Sequence, residues 1–193
     1  MSDKKIDNTS NSYGDDAIVT LSPREHLRLR PGMYIGKLGD GSQADDGIYV
    51  LIKEVVDNSV DEFIMGAGKQ IDVTVEDDIV TVRDYGRGIP LKSLAAAVSE
   101  MNTVGKYGGS AFKKTVGLNG VGVKAVNMLS SEFTARSVRD GEARTVTFAQ
   151  GLEQSDRWES GEQENNGTLI SIRVDREVFG DYSNKLENVE QMI

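Results

Sequence analysis

Between residues 46 and 65, apolar positions return every third or fourth residue. Ile48, Ile52, Val55, Val56, Val60 and Phe63, with Ser59 among them, share one side. This predicts a long amphipathic helix, ended by Gly66 and Gly68. The period then changes to two. Residues 71–75 and 79–82 alternate polar and apolar on either side of Asp77 and Asp78, which predicts a hairpin. Nearer the start, Ser22 ahead of Pro23 marks a short helix with Ser22 as its cap, stopping before Pro31 and Gly32. Residues 91–100 predict another helix. A glycine-rich stretch, residues 105–122, opens into one that ends near Leu129. From Glu132 onward alternation dominates, with turns at Asp140-Gly141 and Asn166-Gly167. There is no internal repeat. Helices come first and antiparallel strands later, so the class is α+β.

Residues 1–16 read as a polar tail rich in Ser, Asn and Asp, expected to be mobile in isolation. Tyr13 and Ile18 interrupt its polar character. The 193 residues fit one domain, or one domain plus tails, and 38% hydrophobic residues suffice for a core. The absence of cysteine excludes disulfides and thiolate metal sites. A net charge of -9 argues against this segment clamping DNA phosphates by itself. No run resembles a signal peptide, and none approaches the ~20 apolar residues that span a membrane.

Opposite its apolar stripe, the long helix carries Glu54, Asp57, Asn58, Asp61 and Glu62, with Lys53 the one cation close by. Periodicity alone favours a solvated outer face. The alternative is a magnesium site with a general base. Glu54 and Asn58, four apart, are surface neighbours; Asn offers a neutral oxygen to a hard cation, and a carboxylate activates water. After the predicted hairpin come Asp84, Gly86, Arg87, Gly88, Ile89 and Pro90. An aspartate at a strand end accepts hydrogen bonds from an exocyclic amine, and glycines let backbone approach a flat ring. An ordinary Asp-Gly turn explains the same residues. Arg87 is placed to pair with Glu62.

A third group is Gly117, Leu118, Asn119, Gly120, Val121 and Gly122, followed by an apolar helix from Val123. Glycines ahead of a helix expose N–H groups at the positive end of its dipole, which binds phosphate. The spacing is neither the Walker pattern nor a full dinucleotide fingerprint. Lys106, Lys113, Lys114 and Lys124 gather positive charge around it, as scattered surface lysines also do. Gly167 and Thr168 introduce a late strand, or simply turn a hairpin. His26, the sole histidine, reads as a surface residue, and Trp158 as a local packing anchor.

Each piece alone is weak. Their order resembles the nucleotide-binding fold shared by gyrase B, the heat-shock ninety chaperones, histidine kinases and MutL. Arg30, Pro31, Gly32, Met33, Tyr34, Ile35 and Gly36 match one branch, the amino-terminal ATP-binding domain of bacterial type II DNA topoisomerase B subunits. So do residues 54–62 and 117–127. The resemblance runs from about Tyr13 to Arg173.

It implies a two-layer α/β sandwich, a mixed and mostly antiparallel sheet with helices on one face. Residues 1–16 would be an arm, residues 17–193 the ATP-binding domain, and the transducer and cleavage domains would lie elsewhere. The ligands implied are ATP and Mg2+. Nucleotide-driven dimerisation would gate DNA strand passage, changing supercoiling or unlinking DNA. The partners implied are a second B protomer, the topoisomerase A subunit and DNA, in the cytoplasm, with no membrane. The isolated chain is expected to bind ATP and magnesium but to turn over slowly, because the family's next domain supplies a γ-phosphate lysine. A MutL-like or chaperone ATPase, and a nucleotide-sensing module without turnover, are the alternatives.

By position, the resemblance makes Glu54 the base that activates water and Asn58 the magnesium ligand. Asp84 would bind the adenine amine, helped by Thr168 through water. Gly86, Gly88, Ile89 and Pro90 would line the base pocket. Lys106, Gly117, Leu118, Asn119, Gly120, Val121, Gly122 and Val123 would wrap the phosphates. Tyr13 would reach a partner protomer's nucleotide, and Arg139 would stand at the pocket rim. The chain departs from the pattern at Asn119, where many members carry His. It also departs after Pro90, where a His-Pro segment is missing, and at residues 106–110. Asn119 with Lys124 leans toward the topoisomerase IV kind.

Overall fold

The computed structural model describes residues 20–101 and 121–192. Ser22 begins helix α1 (Pro23–Leu29) with a reciprocal cap. Its Oγ accepts from the Glu25 N–H at 3.2 Å, and its own N–H donates to Glu25 Oε2 at 2.8 Å. A short helix not anticipated from the sequence, α2 (Gly32–Ile35), follows and lays Ile35 against Gly47.

Helix α3 (Gly47–Ile64) is the predicted long helix. Ile48, Ile52, Val55, Val56 and Ser59 are buried on the expected stripe. Tyr49 and Leu51 are buried too, so the apolar arc is wider than the periodicity showed. Phe63, counted with the stripe, is instead 55% exposed, because the last turn runs past the core. Gly66 ends the helix at a positive φ of 81°. The Ala67 N–H bonds to the Glu62 carbonyl and that of Gly66 to Phe63, the two bonds of a Schellman motif. At the other end, the Tyr49 hydroxyl donates to the Gly41 carbonyl at 2.7 Å and accepts from Asn188 Nδ2 at 3.1 Å. That ties α3 to the C-terminal helix α7 (Leu186–Met192).

Strands β1 (Ile71–Glu76) and β2 (Ile79–Asp84) form the predicted hairpin across Asp77 and Asp78. A 3₁₀ turn (Leu91–Ser93), α4 (Leu94–Ser99) and α5 (Gly122–Met128) come next. The remaining strands are β3 (Ser130–Arg139), β4 (Glu142–Ala149), β5 (Leu152–Ser160) and β6 (Gly167–Val174), before the short α6 (Arg176–Phe179). The sheet order is β1-β2-β6-β3-β4-β5, and every pairing is antiparallel. Gly167 therefore does not turn a hairpin from β5 into β6. Strand β6 crosses to the middle and joins the β1–β2 hairpin to the β3–β5 meander.

Cross-strand register makes the two faces of the sheet chemically different. Val80, Ile172, Phe133 and Phe148 form one row, and Val82, Ile170, Ala135 and Val146 the next; all are buried in the core they share with α3, α4 and α5. Burying each large side chain contributes about 1.5–3 kcal/mol. The opposite face carries Thr74, Thr81, Ser171, Thr134, Thr147 and Ser155 in one continuous row across all six strands. The third row on the helix side is polar. Thr168, Ser137, Arg144 and Trp158 stand in register there, at the end of the sheet where α3 presents its acidic side. No helix among the described residues is long and apolar enough to cross a membrane.

Candidate functional site

The polar row and the acidic side of α3 enclose a cleft of about 830 Å³. Asn58, Asp84, Gly88, Ile89, Pro90, Val123 and Thr168, all singled out in the sequence, line it. Glu54, Gly86, Val121 and Gly122 do not form its wall; Gly86 lies against the wall residues Glu62 and Asp84, and Gly122 against Glu54. Tyr13, Lys106, Gly117, Leu118, Asn119 and Gly120 lie outside the described residues, as do Ile18, Lys113 and Lys114.

Asp84 closes β2 and is 5% exposed. Its Oδ1 accepts from the Gly86 N–H at 2.9 Å and the Thr168 N–H at 3.2 Å. Both bonds fall on one oxygen, which leaves Oδ2 for a ligand. Burial raises the Asp84 pKa, and the two N–H bonds offset only part of that effect. Gly167 makes the juncture possible. A β-carbon there would stand 2.1 Å from the Asp84 carbonyl oxygen, and its φ is 141°.

On the facing helix, Glu54 is half-buried. Burial, and then the negative charge of Asp57, raise its pKa. Asn58, one turn on, donates from Nδ2 to the Glu54 carbonyl at 2.6 Å, so its side-chain oxygen is left for the cleft. Gly122 opens α5 directly opposite Glu54. Lys124 is not part of the cleft wall. It is 3% exposed within α5, and burial lowers its pKa against the opposing pull of Glu100.

Glu62 and Arg87 pair as the sequence suggested. Arg87 Nη2 reaches Glu62 Oε1 at 2.7 Å, and both Nε and the backbone N–H reach Oε2 at 3.1 Å. Burial works to raise the Glu62 pKa, but the Arg87 bonds outweigh it and hold it low.

Lys92, Asp140, Glu142 and Trp158 are among the cleft residues that carried no functional signal in the sequence. Trp158 packs locally, as read from the sequence, but it also lines the cleft. It is 50% exposed at the cleft lip, with the Arg144 guanidinium 4.8 Å from its ring centre. Its pairing opposite Arg144 puts it on the helix side, a long-range register that the sequence did not reveal. His26 is not a free surface residue; its Nδ1 lies 2.9 Å from the Tyr34 hydroxyl.

An antiparallel sheet with helices on one face, and a cleft between that face and an acid-Asn helix, define a class of nucleotide-binding ATPase folds. The chain belongs to the histidine kinase-, DNA gyrase B- and HSP90-like ATPase family, whose model matches residues 43–178. It is 51% identical over 174 residues to the B subunit of DNA topoisomerase 4 from Borreliella burgdorferi, covering 90% of this chain and 29% of that protein. It is 39% identical over 183 residues to the B subunit of DNA gyrase from Staphylococcus epidermidis, covering 90% and 28%. The chain thus spans under a third of the length of these relatives. Among solved structures, the 43K ATPase domain of Thermus thermophilus gyrase B, in complex with an aminocoumarin, superposes with a TM-score of 0.73. The match is 26% identical and covers 87% of this chain and 43% of that one.

Proposed function

We propose that this chain is the ATP-binding and ATP-hydrolysing domain of the B subunit of a type II DNA topoisomerase. The observation that carries it is the buried Asp84 carboxylate, with Oδ1 tied to backbone and Oδ2 left for a ligand. Such a group accepts a hydrogen bond from the exocyclic amine of adenine. Thr168 stands beside it, and Gly88, Ile89 and Pro90 flank the flat ring. Residues 17–193 then constitute the nucleotide domain. Residues 1–16 are an arm toward a second protomer, with Tyr13 reaching its nucleotide.

Glu54 is the general base. Partial burial and the Asp57 charge raise its proton affinity, which suits a group that withdraws a proton from water. Gly122 and Val123 begin α5 next to it, where backbone N–H groups face the phosphates; Lys106 and residues 117–120 complete that cradle. Among the described residues no cluster of three or more His, Cys, Asp or Glu is arranged to cage a metal. Asn58, with its side-chain oxygen left toward the cleft, would hold a magnesium ion accompanying the nucleotide. That ion would supply charge neutralisation at the phosphates, while the chain's own residues position the nucleotide and the water.

In the whole enzyme, nucleotide-driven dimerisation gates the passage of one DNA segment through another, with the A subunit and DNA as partners in the cytoplasm. The 51% identity to the B subunit of a topoisomerase 4 supports the unlinking enzyme over gyrase.

Calorimetric titration with a non-hydrolysable ATP analogue and magnesium tests the site. One-to-one binding that is lost in Asp84→Asn is the expected result. No binding by the folded wild type would sink the proposal. Glu54→Gln should then keep binding while hydrolysis falls by at least ~100-fold.

A further inference from the structure

The cleft wall formed by residues 88–92 is held from behind, and held by its main chain. Arg139 Nη1 donates to the Gly88 carbonyl at 3.2 Å. Ser137 Oγ donates to the Ile89 carbonyl at 2.7 Å. Arg144 Nη1 donates to the carbonyls of Leu91 at 2.6 Å and Lys92 at 3.2 Å. The remaining carbonyl, that of Pro90, accepts from the Ser93 N–H at 2.9 Å. All three side-chain donors project from one hairpin, β3–β4.

The approach is too close for a side chain between the layers. A β-carbon on Gly88 would lie 2.6 Å from the Val138 carbonyl oxygen and 2.9 Å from Ser137 Oγ, and Gly88 has a φ of 74°. The donors themselves are fixed. Ser137 is 0% exposed. Asp156 grips Arg144 at both Nε (2.9 Å) and Nη2 (2.8 Å), and Trp158 covers its guanidinium. This is a fork-to-fork pair, which fixes direction as well as distance.

We infer that the β3–β4 hairpin sets the position of the base-side wall of the nucleotide cleft. Ser137 and Arg144 are positioning residues that act through the carbonyls of Ile89, Leu91 and Lys92. The inference deepens the ATP-binding proposal and rests on it. Stacking on Ile89 and Pro90 depends on separation, because a gap of half an ångström to an ångström already forfeits much of a dispersion contact. Ser137 and Arg144, neither of which lines the cleft, thus control how tightly the base is held. Because the acceptors are carbonyls, the grip of Ser137 and Arg144 on the wall does not run through the wall's own side chains.

The test is calorimetric titration of Ser137→Ala beside the wild type, with a non-hydrolysable ATP analogue and magnesium. The temperature is one at which circular dichroism shows both proteins folded. Unfolding midpoints without nucleotide are measured in parallel. One-to-one binding should persist with Kd weakened roughly tenfold, as expected when a buried carbonyl loses its donor. Arg144→Lys keeps the charge but not the fork and should shift Kd in the same direction. Lowered midpoints with unchanged Kd in both variants would mean that these residues only stabilise the fold, and would overturn the inference. If the folded wild type failed to bind, the ATP proposal itself would fall, and the inference with it.

Discussion

A β-carbon on Gly122 would stand 1.9 Å from Oε2 of Glu54. The first residue of α5 is therefore where the proposed base meets the proposed phosphate-binding turn, and glycine there makes room for the carboxylate. The obstructing atom is the far end of a flexible side chain, so Gly122→Ala should fold normally and push the carboxylate aside. Hydrolysis should fall ~10- to 100-fold, since an ångström of misplacement costs about that much. Nucleotide Kd should change by less than about threefold. Steady-state hydrolysis and calorimetry on the same preparation check this; full activity would place the base elsewhere.

Asp84 makes binding and stability pull in opposite directions. Its pKa is raised above the ordinary 3.8 in the folded state, chiefly by burial. The folded protein therefore holds that proton more tightly than the unfolded chain. The group's contribution is most favourable at low pH and is lost as pH rises through the raised value. Asp84→Asn keeps an oxygen for the Gly86 and Thr168 N–H groups and removes the charge. Its unfolding midpoint should exceed that of the wild type at neutral pH, by a few degrees. The difference should shrink as pH falls toward the ordinary carboxylate range. Thermal melts across pH read this directly, and an Asn variant less stable at neutral pH would contradict it.

Among the described glycines of the site, Gly167 is the least replaceable. Its φ of 141° and the 2.1 Å approach of a β-carbon to the Asp84 carbonyl combine strain with a clash against backbone. Gly167→Ala should cost about 3 kcal/mol in denaturant unfolding, and nucleotide affinity should fall with it because the Thr168 N–H moves off Asp84. A variant as stable as the wild type would show that the strand junction relaxes freely.

Local patterns were readable in the sequence, and long-range ones were not. The stripe of Ile48, Ile52, Val55 and Val56 and the turn at Asp77-Asp78 announce α3 and the first hairpin, because their physics lies within a few residues. The place of β6 between β2 and β3 has no such signature. It follows from pairings such as Val82 with Ile170, which are far apart in the chain. The turn at Gln150 and Gly151, both at positive φ, was missed because Gln seldom marks one. Glu54, Asn58 and Asp84 were singled out through the order of their motifs; Asn58 and Asp84 line one cleft, and Glu54 lies one turn before Asn58 on the same helix. Ser137 and Arg144 left no trace, because what they bind is main-chain carbonyl, which every residue carries.

The chain contains a single tryptophan. Trp158 sits half-exposed at the lip of the cleft, beneath Arg144. All indole emission from this protein therefore originates at one place, the mouth of its proposed nucleotide site. A ligand that fills the cleft and displaces water there should change the intensity or colour of that emission, and Trp158→Phe should abolish the signal. Occupancy would then be readable in dilute solution by light alone, with no label attached to the protein or the nucleotide.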